Sequence, residues 1–266
     1  MRTPTRNNVE SRYNIRVLDR AISILELLSD GQPRSTGEIS EGIGLSLSTT
    51  FRLLSTLSYY NYVKRDERTS EYQLGLACLE LARAYQDSND LRQIALPELE
   101  ILRDDIKETI HLCVMDNMEI VYLEKFPGLH AIGIMSSRVG GRAPSYCTGV
   151  GKVLLAYQNP KQVSEHFRGQ KLIRFTETTL TSLEDLMAEL DAIYQQGYAL
   201  DRGEHEHEVR CVAAPIFDIS GEAVAALSIS GPSARLDPLE DNVEIIEKAK
   251  QTAARISSLL GYQPNR

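Results

Sequence analysis

The strongest constraint on this chain is the order of short elements encoded in its first 75 residues. Apolar residues recur at helical spacing from Val17, and a Gly-Gln-Pro segment ends that helix. A Ser-x-x-Glu capping box at Ser35 starts a second, short helix, and Ser46 can cap a third. Two strand-like runs, 62–65 and 71–74, then flank a polar turn, as in a hairpin. This order predicts a winged helix-turn-helix.

The third helix of this motif is expected to have one apolar and one polar side. The apolar positions expected in the core are Leu47, Phe51, Leu54 and Leu57. The polar side carries short hydroxyls around a single arginine, Arg52, and no carboxylate. Because short donors suit phosphates and an arginine can read a base edge, this side predicts contact with the major groove of DNA. The alternative for Arg52 is an ordinary solvated helix arginine.

The polar side and its flanking elements give a set of predicted DNA-contacting residues. They are Arg34, Ser35, Ser46, Ser48, Thr49, Thr50, Arg52, Lys64 and Arg65. Ser46 is needed as a helix cap whether or not it touches DNA, and a charged hairpin can equally serve solubility. Through residue 65 the chain has nine basic against six acidic residues, whereas the remainder has 20 against 31. This asymmetry indicates a cationic module joined to an acidic one.

Composition narrows the class of protein. The 266 residues are 42% hydrophobic and 25% charged, which suits a globular protein with a substantial core. No apolar run approaches the roughly 20 residues that a membrane span needs, and the polar N-terminal segment does not resemble a secretory signal. The four cysteines form no Cys-x-x-Cys pair. We therefore expect a protein of the reducing cytoplasm, with no membrane partner.

The pattern changes after Thr109, where strand-like runs begin to alternate with helices. Runs at 110–115, 119–126 and 131–136, and later at 198–201, 209–217 and 223–230, read as strands. Helical runs are expected at 149–157, 183–196 and 238–260. Antiparallel strands with helices at the ends or on one face predict an α+β, sensor-like (GAF-like) domain.

Several motifs in a fixed order give the chain a family resemblance. They are RVLDRAISILELL (16–28), LSLSTTFRLLSTL (45–57), YQLGLACLELA (72–82), CTGVGKVLLA (147–156), GYALDRGEHEHEVRCVAAPIFD (197–218) and ALSISGPSAR (226–235). With these motifs the chain resembles IclR-type bacterial transcriptional regulators over nearly its whole length. The stretches KETIHL, YLEK and TETTLTS make it most similar to the branch of 2-keto-3-deoxygluconate repressors.

The residue patterns predict four parts, which are a flexible arm (1–14), a winged helix-turn-helix domain (15–75), a linker helix (76–89) and an effector-binding domain (90–262). The resemblance implies a DNA-binding regulator. It also implies a homodimer or homotetramer that binds double-stranded DNA at an inverted-repeat operator, and a pocket for a small organic acid. The pocket lining carried over is Ile132, Met135, Gly149, Val150, Asp201, Val209, Cys211, Ser228 and Ser230.

The chemistry of that lining agrees with an acid as the effector. Residues 209 and 211, like 228 and 230, alternate onto one side of a strand. The amides that open the helix at Gly149 attract a carboxylate, while Asp201 suits a hydroxyl. A hydroxylated keto acid, such as a 2-keto-3-deoxy sugar acid, would use both kinds of contact.

Alternative functions remain open from the residues alone. His205, His207 and Cys211 would share one side of an extended segment, which suggests a metal- or redox-responsive regulator, although the spacing matches no standard zinc site. The Gly-Val-Gly-Lys segment lacks the remainder of a phosphate loop, and Lys152 is expected at the surface. An enzyme acting on a small acid is a further alternative. We expect no resident metal or cofactor. We also expect no catalytic residues, because no Gly-x-Ser-x-Gly elbow is present.

Overall fold

The computed structural model describes residues 15–87, 90–129 and 135–263. The expected arm at 1–14 and the expected pocket residue Ile132 lie outside these ranges. The chain forms two compact units, residues 1–88 and 89–266, and each is described by itself.

The first unit has the predicted order of elements. They are α1 (Arg16–Leu28), α2 (Thr36–Gly42), α3 (Leu47–Tyr59), β1 (Val63–Arg65), β2 (Tyr72–Leu74) and α4 (Leu76–Asp87). At the start of α2 the Ser35 hydroxyl accepts from the Glu38 amide, and the Glu38 carboxylate accepts from the Ser35 amide, so the predicted capping box is present. The β1–β2 hairpin pairs Val63 with Leu74. Ile24, Leu54 and other buried side chains of α1–α3 and the hairpin form the core of this unit.

The core face of α3 differs from the one expected. Its buried residues are Thr50, Leu53, Leu54 and Leu57. Leu47 and Phe51 are 60% and 52% exposed, so the expectation that they are core residues is wrong. The reason is the direction of the buried arc, which runs through positions 50, 53, 54 and 57 and leaves 47 and 51 on its flank.

The helix α4 exposes much of its apolar surface. Leu76, Leu79 and Leu81 are each more than half exposed. Its first turn is attached to the rest of this unit by the Ala77 amide, which donates to the Asn61 carbonyl at 3.1 Å, and by the Cys78 thiol, which donates to the Tyr62 carbonyl at 3.4 Å. Exposed leucines on one short helix are unfavourable for an isolated chain in water.

The second unit is built on one antiparallel sheet. Its strands are β3 (Thr109–Asp116), β4 (Glu119–Phe126), β5 (Arg142–Pro144), β6 (Ala199–Asp201), β7 (Val209–Phe217) and β8 (Ala223–Pro232). Their order across the sheet is β5-β4-β3-β8-β7-β6, and every neighbouring pair is antiparallel. Its helices are α5 (Asp90–Ile106), α6 (Gly149–Ala156), α7 (Pro160–Phe167), α8 (Leu183–Gln196), α9 (Ser233–Leu236) and α10 (Val243–Leu259). The predicted α+β class is confirmed.

Helices cover both faces of this sheet, whereas the sequence suggested ends or one face only. The strands alternate, so that Val212 of β7 joins a core with α5 and α10, while Cys211 and Ala213 join a second core with α6 and α8. Each face therefore buries apolar side chains, and α6 lies between the sheet and α8. No helix in the described parts of the chain is both long and apolar enough to cross a membrane.

The sequence missed β5, α7 and α9, which are short elements. The last helix also begins later than expected, because Pro238 precedes a single 3-10 turn and the Asn242 side chain accepts from the Ile245 amide to start α10. The turn between β3 and β4 is centred on Asn117 and Met118, both with positive φ. Two consecutive residues with positive φ between paired strand ends form a tight two-residue hairpin loop.

Candidate functional site

The exposed surface of α3 carries several of the predicted DNA-contacting residues. Ser46 caps the helix by accepting from the Thr49 amide, and its hydroxyl lies 3.2 Å from that of Ser48. Ser48 and Arg52 are exposed, and Thr49 is half-buried. The hydroxyls of Ser46, Ser48 and Thr49 form one cluster at the start of the helix, where backbone amides also point outward. Such a group can donate to an anionic oxygen.

The wing adds cations to this unit. Lys64 and Arg65 on β1 are both exposed, and the Arg65 guanidinium lies 5.8 Å from the centre of the Tyr72 ring. The ring restricts where the guanidinium can lie while leaving its donors toward solvent. These two side chains can therefore meet phosphates, as the sequence predicts.

Arg34 and Ser35 have structural partners. The two terminal nitrogens of Arg34 donate to the Asp30 carboxylate at 2.8 and 2.6 Å, and one also donates to the Leu27 carbonyl. The Ser35 hydroxyl belongs to the capping box of α2. Both side chains thus hold α1 and α2 in place, so a contact with DNA would have to share groups that already have partners.

Thr50 does not belong to the exposed surface. Its side chain is fully buried, and its hydroxyl oxygen has no hydrogen-bond partner among the residues that the structure describes. The prediction that Thr50 contacts DNA is therefore wrong for this conformation. The polar type of the residue was misleading, because position 50 lies at the centre of the buried arc of α3.

One cavity in the second unit collects the other predicted set. It is lined by Met135, Gly149, Val150, Asp201, Val209, Cys211, Ser228 and Ser230, which are all of the predicted effector residues that the structure describes. The cavity has a volume of about 50 Å³, which is room for several waters. Residues from β6, β7, β8 and the start of α6 thus meet at one place.

The start of α6 supplies amide donors to this cavity. Thr148 caps the helix by accepting from the Gly151 amide at 3.2 Å, whereas the first amides, those of Gly149 and Val150, have no carbonyl partner within a helix. A Cβ atom at Gly149 would lie 3.0 Å from the Cys211 sulfur, so glycine permits the close approach of α6 to β7. These amides and the helix dipole favour an anion.

The structure adds six lining residues that the predicted set did not contain. They are His111, Tyr122, Ser137, Thr148, His205 and Glu206. His111 is buried between hydroxyls, with Nδ1 3.3 Å from Ser228 and Nε2 2.9 Å from Ser137. Burial, aided by the charge of Lys125, lowers the pKa of His111 to about 3, so its ring is neutral. A neutral imidazole between hydroxyls can donate from one nitrogen and accept at the other.

The charged side chains lining the cavity are acidic. Asp201 accepts from the amides of Gly203 and Glu204, and burial raises the pKa of Asp201. Among the described lining residues, Asp201 and Glu206 are carboxylic acids and none is a lysine or arginine. Lys125 lies behind the wall and donates to the Ser137 carbonyl. An anionic effector would therefore be held by amides and hydroxyls.

Lys152 is fully buried, so the expectation of a surface residue is wrong. Its ammonium group donates to Glu204 at 2.5 Å, Glu189 at 2.9 Å and the Leu200 carbonyl at 2.8 Å. All three of its donors are satisfied, which makes burial of a lysine tolerable. The side chain ties α6 to α8 and to the segment that carries Asp201.

The residues proposed for a metal do not converge. The segment 202–208 consists of bends and a turn, so it lacks the extended form that would align them. His205 and Cys211 line the cavity, whereas His207 is exposed. Within the described ranges no group of three or more His, Cys, Asp or Glu residues is placed to hold a metal ion.

Comparisons with known proteins agree with both units. The IclR helix-turn-helix domain matches residues 17–67, and the C-terminal domain of bacterial IclR transcriptional regulators matches residues 83–258. The chain is 37% identical over 245 residues to the transcriptional regulator KdgR of Escherichia coli, covering 91% of this chain and 92% of KdgR. It is 34% identical over 249 residues to the transcriptional repressor AllR of Salmonella paratyphi A, covering 93% of this chain and 90% of AllR.

A solved structure shares the whole fold. An IclR homologue from Microbacterium hydrocarbonoxydans, crystallised with 4-hydroxybenzoate, aligns with a TM-score of 0.79 and 27% identity over 92% of this chain and 98% of that one. The predictions of a DNA-binding regulator and of no enzymatic activity are confirmed by the family matches, and the similarity to KdgR agrees with the predicted branch of 2-keto-3-deoxygluconate repressors. The chain belongs to the IclR family of bacterial transcriptional regulators.

Proposed function

We propose that this protein represses an operon for the breakdown of a sugar acid or a related organic acid, and that a small carboxylate effector modulates its affinity for DNA. It would bind an inverted-repeat operator as a homodimer or homotetramer in the cytoplasm. The winged helix-turn-helix would span residues 15–75, the linker helix 76–89 and the effector-binding domain 90–262.

The observation that carries this proposal is the convergence on one cavity. Eight residues from β6, β7, β8, the start of α6 and the loop before β5 line the same space. Its amides at Gly149 and Val150 suit a carboxylate, its hydroxyls at Ser228 and Ser230 suit a keto or hydroxyl oxygen, and Val209 offers an apolar contact. A small hydroxylated acid matches this mixture better than a purely apolar compound does.

The DNA contact is proposed for the exposed part of the first unit. The side chains that remain available are Ser46, Ser48, Thr49, Arg52, Lys64 and Arg65. Two copies would place their α3 helices in successive major grooves, about 34 Å apart. Arg34 and Ser35 would support this surface by fixing α1 and α2, since their side chains already have structural partners.

A second copy of this chain would explain the exposed leucines. Leu76 and Leu79 lie on one side of α4, and Val17 and Leu18 of α1 are also more than half exposed. Pairing of α4 with its copy would remove Leu76 and Leu79 from water. An effector can then act only if it binds the two arrangements of the dimer with different affinity, with a coupling free energy on the order of 1–3 kcal/mol.

The relatives support the sign and the chemical class of the proposal. AllR is named a repressor, and a solved homologue binds 4-hydroxybenzoate, which joins a carboxylate to a hydroxyl. Neither name identifies the effector of this chain. The acidic cavity wall, with Asp201 and Glu206, favours a ligand that has hydroxyl donors beside its carboxylate.

Binding to DNA from upstream of the protein's own gene tests the proposal directly. The protein should bind a labelled fragment at low salt. Its affinity for that fragment should change when one of the sugar acids, pyruvate, glyoxylate or aromatic acids is added alone. The same compounds should raise the melting temperature of the protein by mass action. No binding to that fragment with any of these compounds would refute the proposed repression.

A further inference from the structure

The two carboxylate oxygens of Glu206 have different surroundings. The residue lies in the segment between β6 and β7 and lines the cavity. Oε1 accepts from the Ser136 amide at 3.1 Å and from the Ser136 hydroxyl at 2.5 Å. Oε2 is buried and has no hydrogen-bond partner among the residues that the structure describes. A buried polar atom in this state calls for a missing donor.

The missing donor has a definite chemistry. An ionised carboxylate only accepts hydrogen bonds, so a ligand carboxylate cannot satisfy Oε2 and would be repelled by it. A ligand hydroxyl can donate to it, and such a charge-assisted bond is among the stronger ones. Leaving the oxygen unpaired costs free energy, so the cavity gains more from a hydroxylated ligand than from one without hydroxyls.

The neighbours of Glu206 do not supply that donor. Lys125 donates to the Ser137 carbonyl, and His111 is neutral and bonded to Ser137 and to Ser228. Asp201 is itself an acceptor, held by two backbone amides. The Ser136 hydroxyl is already bonded to Oε1. His205 Nδ1 lies 4.0 Å from Oε1, beyond hydrogen-bond distance, and no other described group donates to Oε2. A ligand that enters the cavity can supply the donor.

We infer that Glu206 is a specificity-determining residue that accepts hydrogen bonds from hydroxyl groups of the effector. It selects a 2-keto acid with a hydroxylated chain over one without hydroxyls. The amides at the start of α6 bind the carboxylate that both kinds of acid share. This inference rests on the proposed function, because it assigns a role within the same effector cavity.

A pair of ligands separates this role from a general effect on the cavity. Pyruvate and 2-keto-3-deoxygluconate share the 2-keto carboxylate and differ in the hydroxylated chain. Titration calorimetry on the full chain would measure both dissociation constants for the wild type and for Glu206→Ala, Glu206→Gln and the control Glu208→Ala. The quantity of interest is the ratio of the two constants, since a loss of fold or of cavity shape would affect both ligands.

We expect the wild type to bind the hydroxylated acid at least ten-fold more tightly than pyruvate. Glu206→Ala should weaken binding of the hydroxylated acid by ten- to hundred-fold and change pyruvate binding by less than two-fold. Glu206→Gln, which keeps the shape and one acceptor oxygen, should give a smaller loss. Glu208 is an exposed carboxylate of the same segment that does not line the cavity, so Glu208→Ala should leave the ratio within two-fold of the wild-type value.

Three results would overturn the inference. The first is an equal loss of affinity for both acids in Glu206→Ala, which would make the residue structural. The second is a collapse of the ratio in Glu208→Ala, which would assign the selectivity to the charge of the segment and not to the Glu206 side chain. The third is wild-type protein that binds pyruvate with no preference for the hydroxylated acid. Wild-type protein that binds neither acid nor any other small acid would refute the proposed effector control itself.

Discussion

The ammonium group of Lys152 lies 2.5 Å from Oε1 of Glu204, and both side chains are almost completely removed from solvent. This ion pair links the second turn of α6 to the segment that follows Asp201, and both parts contribute to the cavity wall. Burial works against the charge on Lys152, but the carboxylates of Glu204 and Glu189 outweigh it, so the pKa of Lys152 is raised. Burial also raises the pKa of Glu204, to about 7, against the opposing influence of Lys152.

Replacing Lys152 by methionine should strongly destabilise the second unit. The substitution fills the space but leaves Glu204 buried without its cation, and breaking such a pair costs about 3–5 kcal/mol. Urea denaturation would measure the loss in free energy of unfolding. Lys171→Met, at an exposed lysine, is the control and should change stability by less than about 0.5 kcal/mol. A loss below about 1 kcal/mol in Lys152→Met would mean that the ion pair contributes little.

Replacing Thr50 by valine should stabilise the first unit without weakening DNA binding. Valine has nearly the shape of threonine and removes a buried hydroxyl that has no partner among the described residues, which should gain about 1 kcal/mol. Thr49→Val is the matched control. The Thr49 hydroxyl lies 3.0 Å from that of Ser46, so its removal should lower the free energy of unfolding. Calorimetry and a gel-shift assay check both properties. A ten-fold loss of DNA affinity in Thr50→Val would show instead that Thr50 contacts DNA.

Local signals in the sequence predicted most element boundaries, whereas burial at particular positions depended on distant partners. The caps at Ser35 and Ser46 are local and were located correctly. The partners that bury Lys152 lie 37 and 52 residues away, and no local pattern indicates them.

The cavity shows the same division between local and long-range information. Alternation along β7 and β8 is local, and it placed Val209 with Cys211, and Ser228 with Ser230, on the same side of their strands. The assignment of both pairs to one cavity came from the family resemblance, and both line the cavity in the structure. His111 joins Ser228 only because β3 pairs with β8, across 117 residues of sequence. The stretch KETIHL carried the family resemblance and contained His111, so it was the one signal available. Strand order, which sequence periodicity does not specify, was needed to interpret it.

Acid should destabilise the protein partly through His111. The pKa of His111 is lowered to about 3 in the folded protein, whereas an unfolded histidine titrates near 6.5. The unfolded chain therefore takes up a proton first, and the contribution to stability that is present above pH 6.5 is lost as the pH falls toward 3. Between pH 8 and pH 5 this loss should be about 2 kcal/mol.

The variant His111→Gln isolates that contribution. Its stability at pH 8 will differ from that of the wild type, but its further loss between pH 8 and pH 5 should be smaller by about 2 kcal/mol. Urea denaturation at each pH gives both curves, and their difference cancels the contribution of the other titrating groups. Parallel curves for the two proteins would show that His111 is protonated normally in the folded state.

Substitutions at Arg52 and Arg34 should have different effects, one on DNA binding and the other on stability, although both residues belong to the predicted contact set. Arg52 is exposed on α3, so Arg52→Ala should weaken operator binding about ten- to hundred-fold and leave the free energy of unfolding nearly unchanged. Arg34 is bonded to Asp30 and Leu27, so Arg34→Ala should lower that free energy by about 1 kcal/mol.

The salt dependence of binding then tells how Arg52 acts. If its guanidinium meets a phosphate, Arg52→Ala should reduce the slope of log affinity against log salt by about 1 and weaken all DNA sequences alike. If it meets a base, the slope should stay and one operator position should lose its specificity. We expect the base contact, because Ser46, Ser48 and Thr49 already offer hydroxyls for phosphates at the start of the same helix. An unchanged operator affinity in Arg52→Ala would contradict the assignment of α3 as the reading helix.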